Sequence, residues 1–257
     1  MDLSLNGKRA LVMGSTGGMG EGIARRLAAE GARVAVTGRS TDKAEAIADE
    51  LDGAVAYTLD LSDVASVESV IKAAQSDFGG LDIVVCNGGG PPPGPIAAVE
   101  PDVWNAQFQI MFTNQLRIVN AFLPAMRKQG WGRILAVSSS GIQQPIPNLG
   151  ISNSIRAAQV GWAKTLASEV APDGVTVNIC APGRIHTARV DQIDQAASEK
   201  QDKDIEAIRA ASRATIPMGR YGEVAEFADT AVYLLSANAS YITGSVIRVD
   251  GGMIRGV

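Results

Sequence analysis

Seven short apolar runs, separated by longer segments of helical period, constrain this chain more than any other feature. The runs are Ala10–Met13, Val34–Thr37, Val55–Tyr57, Ile83–Cys86, Ile134–Val137, Val175–Ile179 and Val246–Val249. Val and Ile dominate them, and β-branched side chains favour extended backbone. Between the first two runs, Met19, Ile23 and Leu27, with Ala24 and Ala28 alongside, recur at the spacing that puts side chains on one helix face. Strands that alternate with helices must return by right-handed crossovers. The pattern therefore predicts an α/β chain with a doubly wound, seven-stranded parallel sheet flanked by helices.

Composition bounds what such a fold can be for. The chain has 257 residues, 46% hydrophobic and 19% charged, which suits a single domain spanning 1–257, and no repeat or Gly-, Ser- or Pro-rich linker divides it. A formal charge of −4 excludes the basic footprint that nucleic-acid binding requires. No run approaches the ~20 apolar residues of a membrane span, and Met1 to Arg9 lacks the apolar core of a secretory signal. The expected partner is a small-molecule substrate, with no nucleic acid and no membrane, and the expected location is cytoplasmic. The two cysteines, Cys86 and Cys180, end apolar runs away from any Cys/His cluster, so they read as core thiols and no metal site is expected.

Two stretches break the rhythm. Residues 88–95, Gly-Gly-Gly-Pro-Pro-Pro-Gly-Pro, are barred from helix and central strand and must form a stiff loop, which shapes a ligand site or serves as a polyproline ligand. Residues 188–215 are polar and helix-favouring; they read as a substrate lid or as an ordinary solvated helix pair.

Directly after the first run comes Gly14-Ser15-Thr16-Gly17-Gly18-Met19-Gly20, at the opening of the first helical segment. Glycines there let backbone N–H groups approach a pyrophosphate at a helix N-terminus, although a tight turn needs glycine for steric reasons too. Gly14, Ser15, Thr16, Gly18, Met19 and Gly20 are the candidate contacts. The second run ends Thr37-Gly38-Arg39, with no acidic residue to hold a free ribose diol. Gly38 leaves room for a 2′-phosphate and Arg39 offers a fork of donors, so NADP(H) is favoured over NAD(H); stacking of Arg39 on adenine is the alternative. After the third run, Asp60 and Leu61 are placed to meet the adenine, while Ser62 or Asp63 suits an N-cap better.

The Gly14–Gly20 turn, Asp60-Leu61, Asn87-Gly88-Gly89-Gly90, Ser138-Ser139, Pro182-Gly183-Arg184-Ile185-His186-Thr187 and Ile242-Thr243-Gly244 with Val249-Asp250-Gly251-Gly252 stand in the order found in short-chain dehydrogenases/reductases. The chain resembles that family over almost its whole length, which implies a Rossmann fold. The resemblance further implies that Asn87, with Gly88 and Gly89, supports the central strand and the cofactor ribose. Pro182, Gly183, Ile185 and Thr187 would lie at the nicotinamide end, and Ser139 would bond the reacting oxygen. It also implies a homotetramer, with a dimer as the alternative.

The family's catalytic Tyr-x-x-x-Lys is missing. Alignment of the helix around Gly161-Trp162-Ala163-Lys164 puts Ser152 at the tyrosine place and Arg156 at the lysine place, and Tyr57, Tyr221, Tyr233 and Tyr241 lie elsewhere. The relay asparagine of helix four is replaced by Met111, with Asn114 one turn later. With the Gly-Gly-Pro-Pro-Pro-Gly loop, this resembles a divergent 3-oxoacyl-carrier-protein-reductase-like subgroup.

A serine hydroxyl is a far weaker acid than a phenol, whereas Arg156 keeps a permanent charge where ribose hydroxyls and a developing alkoxide would sit. The candidate catalytic residues are Ser139, Ser152, Arg156 and His186, the only histidine; a solvent-facing loop residue is the plainer reading of His186. Arg184, His186 and Arg189 cluster in sequence at the lid entrance, which suggests an anionic substrate unless they make only surface ion pairs. The expected activity is NAD(P)-dependent interconversion of a secondary alcohol and a ketone, on a hydroxy-acid or sugar type of substrate. The alternative is a non-catalytic NADP(H)-binding or redox-sensing protein.

Overall fold

The computed structural model describes residues 1–256. Its strands are β1 (Arg9–Val12), β2 (Arg33–Gly38), β3 (Val55–Thr58), β4 (Ile83–Cys86), β5 (Gly132–Val137), β6 (Val175–Pro182) and β7 (Val246–Val249). They form one parallel sheet in the order β3-β2-β1-β4-β5-β6-β7. The helices are α1 (Gly18–Ala29), α2 (Thr41–Asp49), α3 (Val64–Phe78), α4 (Pro101–Phe108), α5 (Asn114–Gln129), α6 (Gly150–Val170), α7 (Ala188–Gln201), α8 (Ile205–Arg213) and α9 (Val224–Leu235). A π turn, Gln109–Thr113, joins α4 to α5.

Each face of the sheet has its own core. Ile23, Ala24 and Leu27 of α1, the positions given by helical period, pack with Phe227 and Val232 of α9 and with α2 on one face. On the other, Val67 and Ile71 of α3, Ile118 and Phe122 of α5, and Ala163 and Val170 of α6 cover the strands. Cys86 and Cys180 are buried and unbridged, and burial pushes both thiols up to about 12, as suits core packing and not nucleophilic work. No helix among the described residues is long and apolar enough to cross a membrane.

Strand limits differ from the pattern where polar residues interrupt it. β5 begins at Gly132, two residues before its apolar run, because Arg133 is only 2% exposed. Its guanidinium donates to the carbonyls of Ser236, Gly132 and Gly174 and lies over the Trp131 ring. β6 runs three residues beyond Ile179, since Cys180, Ala181 and Pro182 still pair with Ile247, Arg248 and Val249. β1 stops at Val12, where the glycine turn begins, although Met13 N still donates to Val85 O at 3.1 Å. Residues 188–215 fold as the helices α7 and α8.

The order of connection reverses between β1 and β4. Chain leaving their carboxyl ends therefore diverges to opposite faces and opens a crevice between them. The amino ends of these two strands are held by charge. Asp82 is buried and accepts the Arg9 backbone N–H, Arg9 Nε and Nη2, and Gln129 Nε2, at 2.8–3.0 Å. Desolvation pushes its carboxyl up, but the Arg9 side chain, the Arg9 backbone and Gln129 together hold it below its usual value.

A depressed carboxyl stabilises the fold above its unfolded pKa and ceases to do so as pH falls through its folded one. Asp82→Asn should therefore cost about 1–3 kcal/mol in chemical denaturation at pH 7. Its stability should converge with that of the wild type as pH falls below the carboxylate range; a gap that stays constant with pH would assign the effect to packing.

Candidate active site

The glycine turn is shaped by close backbone contact. Gly14 and Gly18 have φ of +60° and +55°, in the left-handed region. A Cβ on Gly20 would lie 2.3 Å from Gly14 O and 2.6 Å from Asn87 Nδ2. Asn87 Nδ2 donates to Met13 O and Gly14 O, at 3.0 and 3.1 Å, and so ties the end of β4 to the turn after β1. Gly17, at the N-cap of α1, supplies no side-chain acceptor, so the first-turn amides are left for another partner. This cradle fits a pyrophosphate. Ser15 is fully buried, its hydroxyl donating to Val12 O and accepting from Thr37 N, so its side chain braces the turn instead of lining the crevice. Met19 is half-buried against the core.

A cleft of about 400 Å³, the size of a small-molecule site, runs past Gly14, Thr16, Gly38, Arg39, Asp60 and Gly89. Gly88 and Leu61 also line it. Gly38 is required for a reason that sequence did not reveal: a Cβ there would lie 2.5 Å from the Thr16 side chain. Arg39 is exposed at the rim. Asp60 accepts Ser62 N and Oγ at 2.8 and 2.7 Å, and these bonds, then the charge of Arg39, hold its carboxyl down. Asp63 is the N-cap of α3.

The second half of the site gathers at the carboxyl end of β5. Ser152 and Arg156 stand one turn apart on α6, and Arg156 Nε donates to Ser152 Oγ at 3.2 Å while Nη1 donates to Val137 O at 2.8 Å. Ser139 Oγ accepts Gly141 N at 3.0 Å, which leaves its proton free to point outward. Arg156 is largely enclosed, and burial lowers its guanidinium to about 10. No carboxylate pairs with it among the described residues. Structure thus joins Ser152 and Arg156 directly, while Ser139 follows by two residues the Val137 carbonyl that accepts from Arg156.

His186 is not part of that group. It is exposed, with Nε2 3.4 Å from Asp191 Oδ1. Arg184 is answered by Asp194, which is 1% exposed and also accepts Tyr221 O–H at 2.8 Å. Arg189 is exposed and makes no ion pair among the described residues. The expected basic cluster at the lid entrance therefore does not converge, because α7 presents Asp191 and Asp194 back to the segment before it. Gly183 packs on Asp250, Pro182 ends β6, and Ile185 is buried and bridged to Gly222. Thr187 caps α7 and lies against Gly18, across the mouth of the crevice.

Sequence reasoning missed two amides on α6. Asn153 clamps the loop before it through Ile146 N and O, and Gln159 Nε2 donates to Met111 O at 3.1 Å. Their signal was an amide in a helix whose other buried positions include Ile151, Ile155, Ala163 and Ala167. Asn114 is buried and donates to Leu61 O at 2.8 Å, and the four tyrosines stand away from Ser152: Tyr57 bonds Asp77, Tyr221 bonds Asp194, and Tyr233 and Tyr241 are exposed.

The profile of a family described as enoyl-(acyl carrier protein) reductase matches residues 14–254. The 3-oxoacyl-[acyl-carrier-protein] reductase of Escherichia coli K12 is 36% identical over 254 residues, covering 98% of this chain and 99% of its own. That of Aquifex aeolicus is 34% identical over 260 residues, covering 98% and 100%. The crystal structure of L-sorbose reductase from Gluconobacter frateurii, complexed with NADPH and L-sorbose, superposes with a TM-score of 0.95 at 30% identity over 100% of both chains. A 3-ketoacyl-(acyl-carrier-protein) reductase from Brucella melitensis, complexed with NADH, gives 0.84 at 33% identity, covering 97% and 99%.

Gly20→Ala should force the turn apart, because its nearest obstacle is a backbone oxygen. The expected loss is about 1–3 kcal/mol of stability and the thermal shift that NADPH produces in the wild type. Retention of that shift would show that the turn does not hold the dinucleotide.

Proposed function

The chain belongs to the short-chain dehydrogenase/reductase family, and we propose that it is an NADP(H)-dependent oxidoreductase that interconverts a secondary alcohol and a ketone bearing an anionic group. The observation that carries this reading is Arg156, a largely enclosed guanidinium with no carboxylate partner among the described residues, bonded to Ser152 and to the Val137 carbonyl at the carboxyl end of β5, the end of the sheet at which the glycine cradle also lies. The L-sorbose reductase complexed with NADPH supports the cofactor, as does Arg39 at a rim that carries no acid at Gly38.

A bound nicotinamide supplies or accepts hydride at the substrate carbon. The chain's own residues handle the oxygen. Arg156 Nε already donates to Ser152 Oγ, which leaves the serine proton free for the substrate oxygen and stabilises the alkoxide left behind. On reduction the oxygen takes that proton, and solvent returns one to Ser152. Ser139 offers a second donor. Arg156 keeps its charge throughout and faces both the developing oxyanion and a neighbouring carboxylate or phosphate on the substrate. Absence of a good general acid typically costs about 10² to 10⁴ in rate, so a slow, specialised turnover is expected.

Residues 188–215 are the proposed lid, held in place by the Arg184–Asp194–Tyr221 contacts. Assembly as a homotetramer and a cytoplasmic location are proposals that rest on the family resemblance. A second reading, a non-catalytic NADP(H) sensor, is favoured by one observation: His186, the side chain best suited to neutral proton transfer, faces Asp191 at the surface.

A cofactor and substrate panel read at the nicotinamide absorbance separates the two. Arg156→Ala should lower kcat/KM by at least about 10²-fold. Arg39→Ala should weaken NADPH roughly tenfold or more, the loss of a charge-assisted hydrogen bond, and leave NADH unchanged. NADPH binding without hydride transfer to any secondary-alcohol or ketone substrate would leave the sensor; equal effects of Arg39→Ala on both cofactors would remove the NADP(H) preference.

A further inference from the structure

Two buried amides behind Ser152 and Arg156 have no part in the chemistry above, and both belong to the place where α6 meets the π turn. Gln159 is 3% exposed; its Nε2 donates to Met111 O, while Oε1 has no partner among the described residues. Met111 lies within the π turn, where Asn114 N donates to Gln109 O five residues back. Such a turn inserts a residue into the helix ladder and displaces carbonyls from their ordinary partners. Here a side chain from another helix takes one of them. Asn114, the first residue after the turn, likewise has a buried Oδ1 without a partner.

Gln159 follows Arg156 by three residues and Ser152 by seven, so the three side chains share one face of α6. Arg156 commits Nε to Ser152 Oγ and Nη1 to Val137 O, and its Nη2 donates to no group among the described residues. One helical turn therefore separates a buried acceptor without a donor from a guanidinium donor that meets no acceptor of the protein among the described residues. Packing alone does not account for an amide at this place. Ile151, Ile155 and Ala163 fill nearby positions of α6 with apolar atoms, and an apolar side chain at 159 would avoid burying an unpaired oxygen.

We infer that Gln159 is a positioning residue: Nε2 fixes the rotation of α6 against the Met111 carbonyl, and Oε1 holds Arg156 Nη2 through one water, so that the guanidinium plane faces the reacting oxygen. Such a water would take Gln159 Oε1 and Arg156 Nη2 as its two partners, the fewest that an internal water uses. This rests on the assignment of Arg156 to the active site, but its first test needs no turnover.

The full-length protein is compared with Gln159→Met, an apolar side chain of similar length, and Gln159→Glu, which keeps an acceptor oxygen; Arg156→Lys assigns the signal. By NMR, the Arg156 Nη2 protons of the wild type should exchange slowly with solvent. They should exchange at least about tenfold faster in Gln159→Met and slowly again in Gln159→Glu. In the same proteins Gln159→Met should lower kcat about tenfold with the KM for NADPH unchanged, the size of effect that loss of a supporting contact typically has. Gln159→Glu should lower it further, because its carboxylate neutralises Arg156. Equal exchange in wild type and Gln159→Met, or fast exchange in Gln159→Glu, would overturn the inference whatever the turnover. Slow exchange in a wild type that transfers no hydride would instead sink the proposed activity and leave this role standing.

Discussion

The contact of two backbones at the sheet's reversal point, Gly20 against Gly14 with the Asn87 carboxamide across both, is the constraint on which the rest of the site depends. β1 and β4 are neighbours, yet their following chains leave toward opposite faces. Something must hold the two ends together while the crevice opens between them. Asn87 does so from the β4 side, and the absence of a Cβ at Gly20 lets α1 start directly over the end of β1. An uncapped helix N-terminus is then aimed into the crevice, where its amides lack a side-chain partner. A dinucleotide phosphate is the group that these amides and that dipole are suited to receive.

Sequence made the sheet legible because parallel strands are buried on both faces and read as continuous apolar runs. β4 and β7 have the limits of their runs, Ile83–Cys86 and Val246–Val249. β5 lost its start to Arg133, since a charge in a strand reads as surface unless its partners are known, and those partners come from Gly132, Gly174 and Ser236. The π turn could not be read at all. Its one extra residue leaves the apolar spacing of the flanking helices intact and alters only which carbonyls are free.

The crevice was readable for the same reason that the glycines were: backbone approach leaves a mark in residue type. Charge pairing does not. Arg184, His186 and Arg189 look convergent in sequence, but a helix that begins at residue 188 carries Asp191 and Asp194 back past them, and two of the three find an acid there. Gly38 answers two demands at once: it leaves the rim without an acid, and a Cβ there would meet the Thr16 side chain, a demand that residue type alone did not show.

Comparison of the two enclosed arginines shows why one is part of the scaffold and the other is open to a ligand. Burial lowers both guanidinium groups to about 10, and both donate to main-chain carbonyls. Arg133 meets three carbonyls, covers its plane with Trp131 and is sealed from solvent, so its cost of desolvation is offset within the fold. Arg156 meets one carbonyl and one hydroxyl and keeps Nη2 uncommitted among the described residues. An anion that reaches that nitrogen recovers interaction which the fold itself withholds. Binding there is then coupled to stability, since a ligand that neutralises the charge favours the folded chain by mass action. The same unpaired charge that strains the resting site is what would discriminate an anionic ketone from a neutral one, because discrimination follows the difference in interaction that each substrate makes with it.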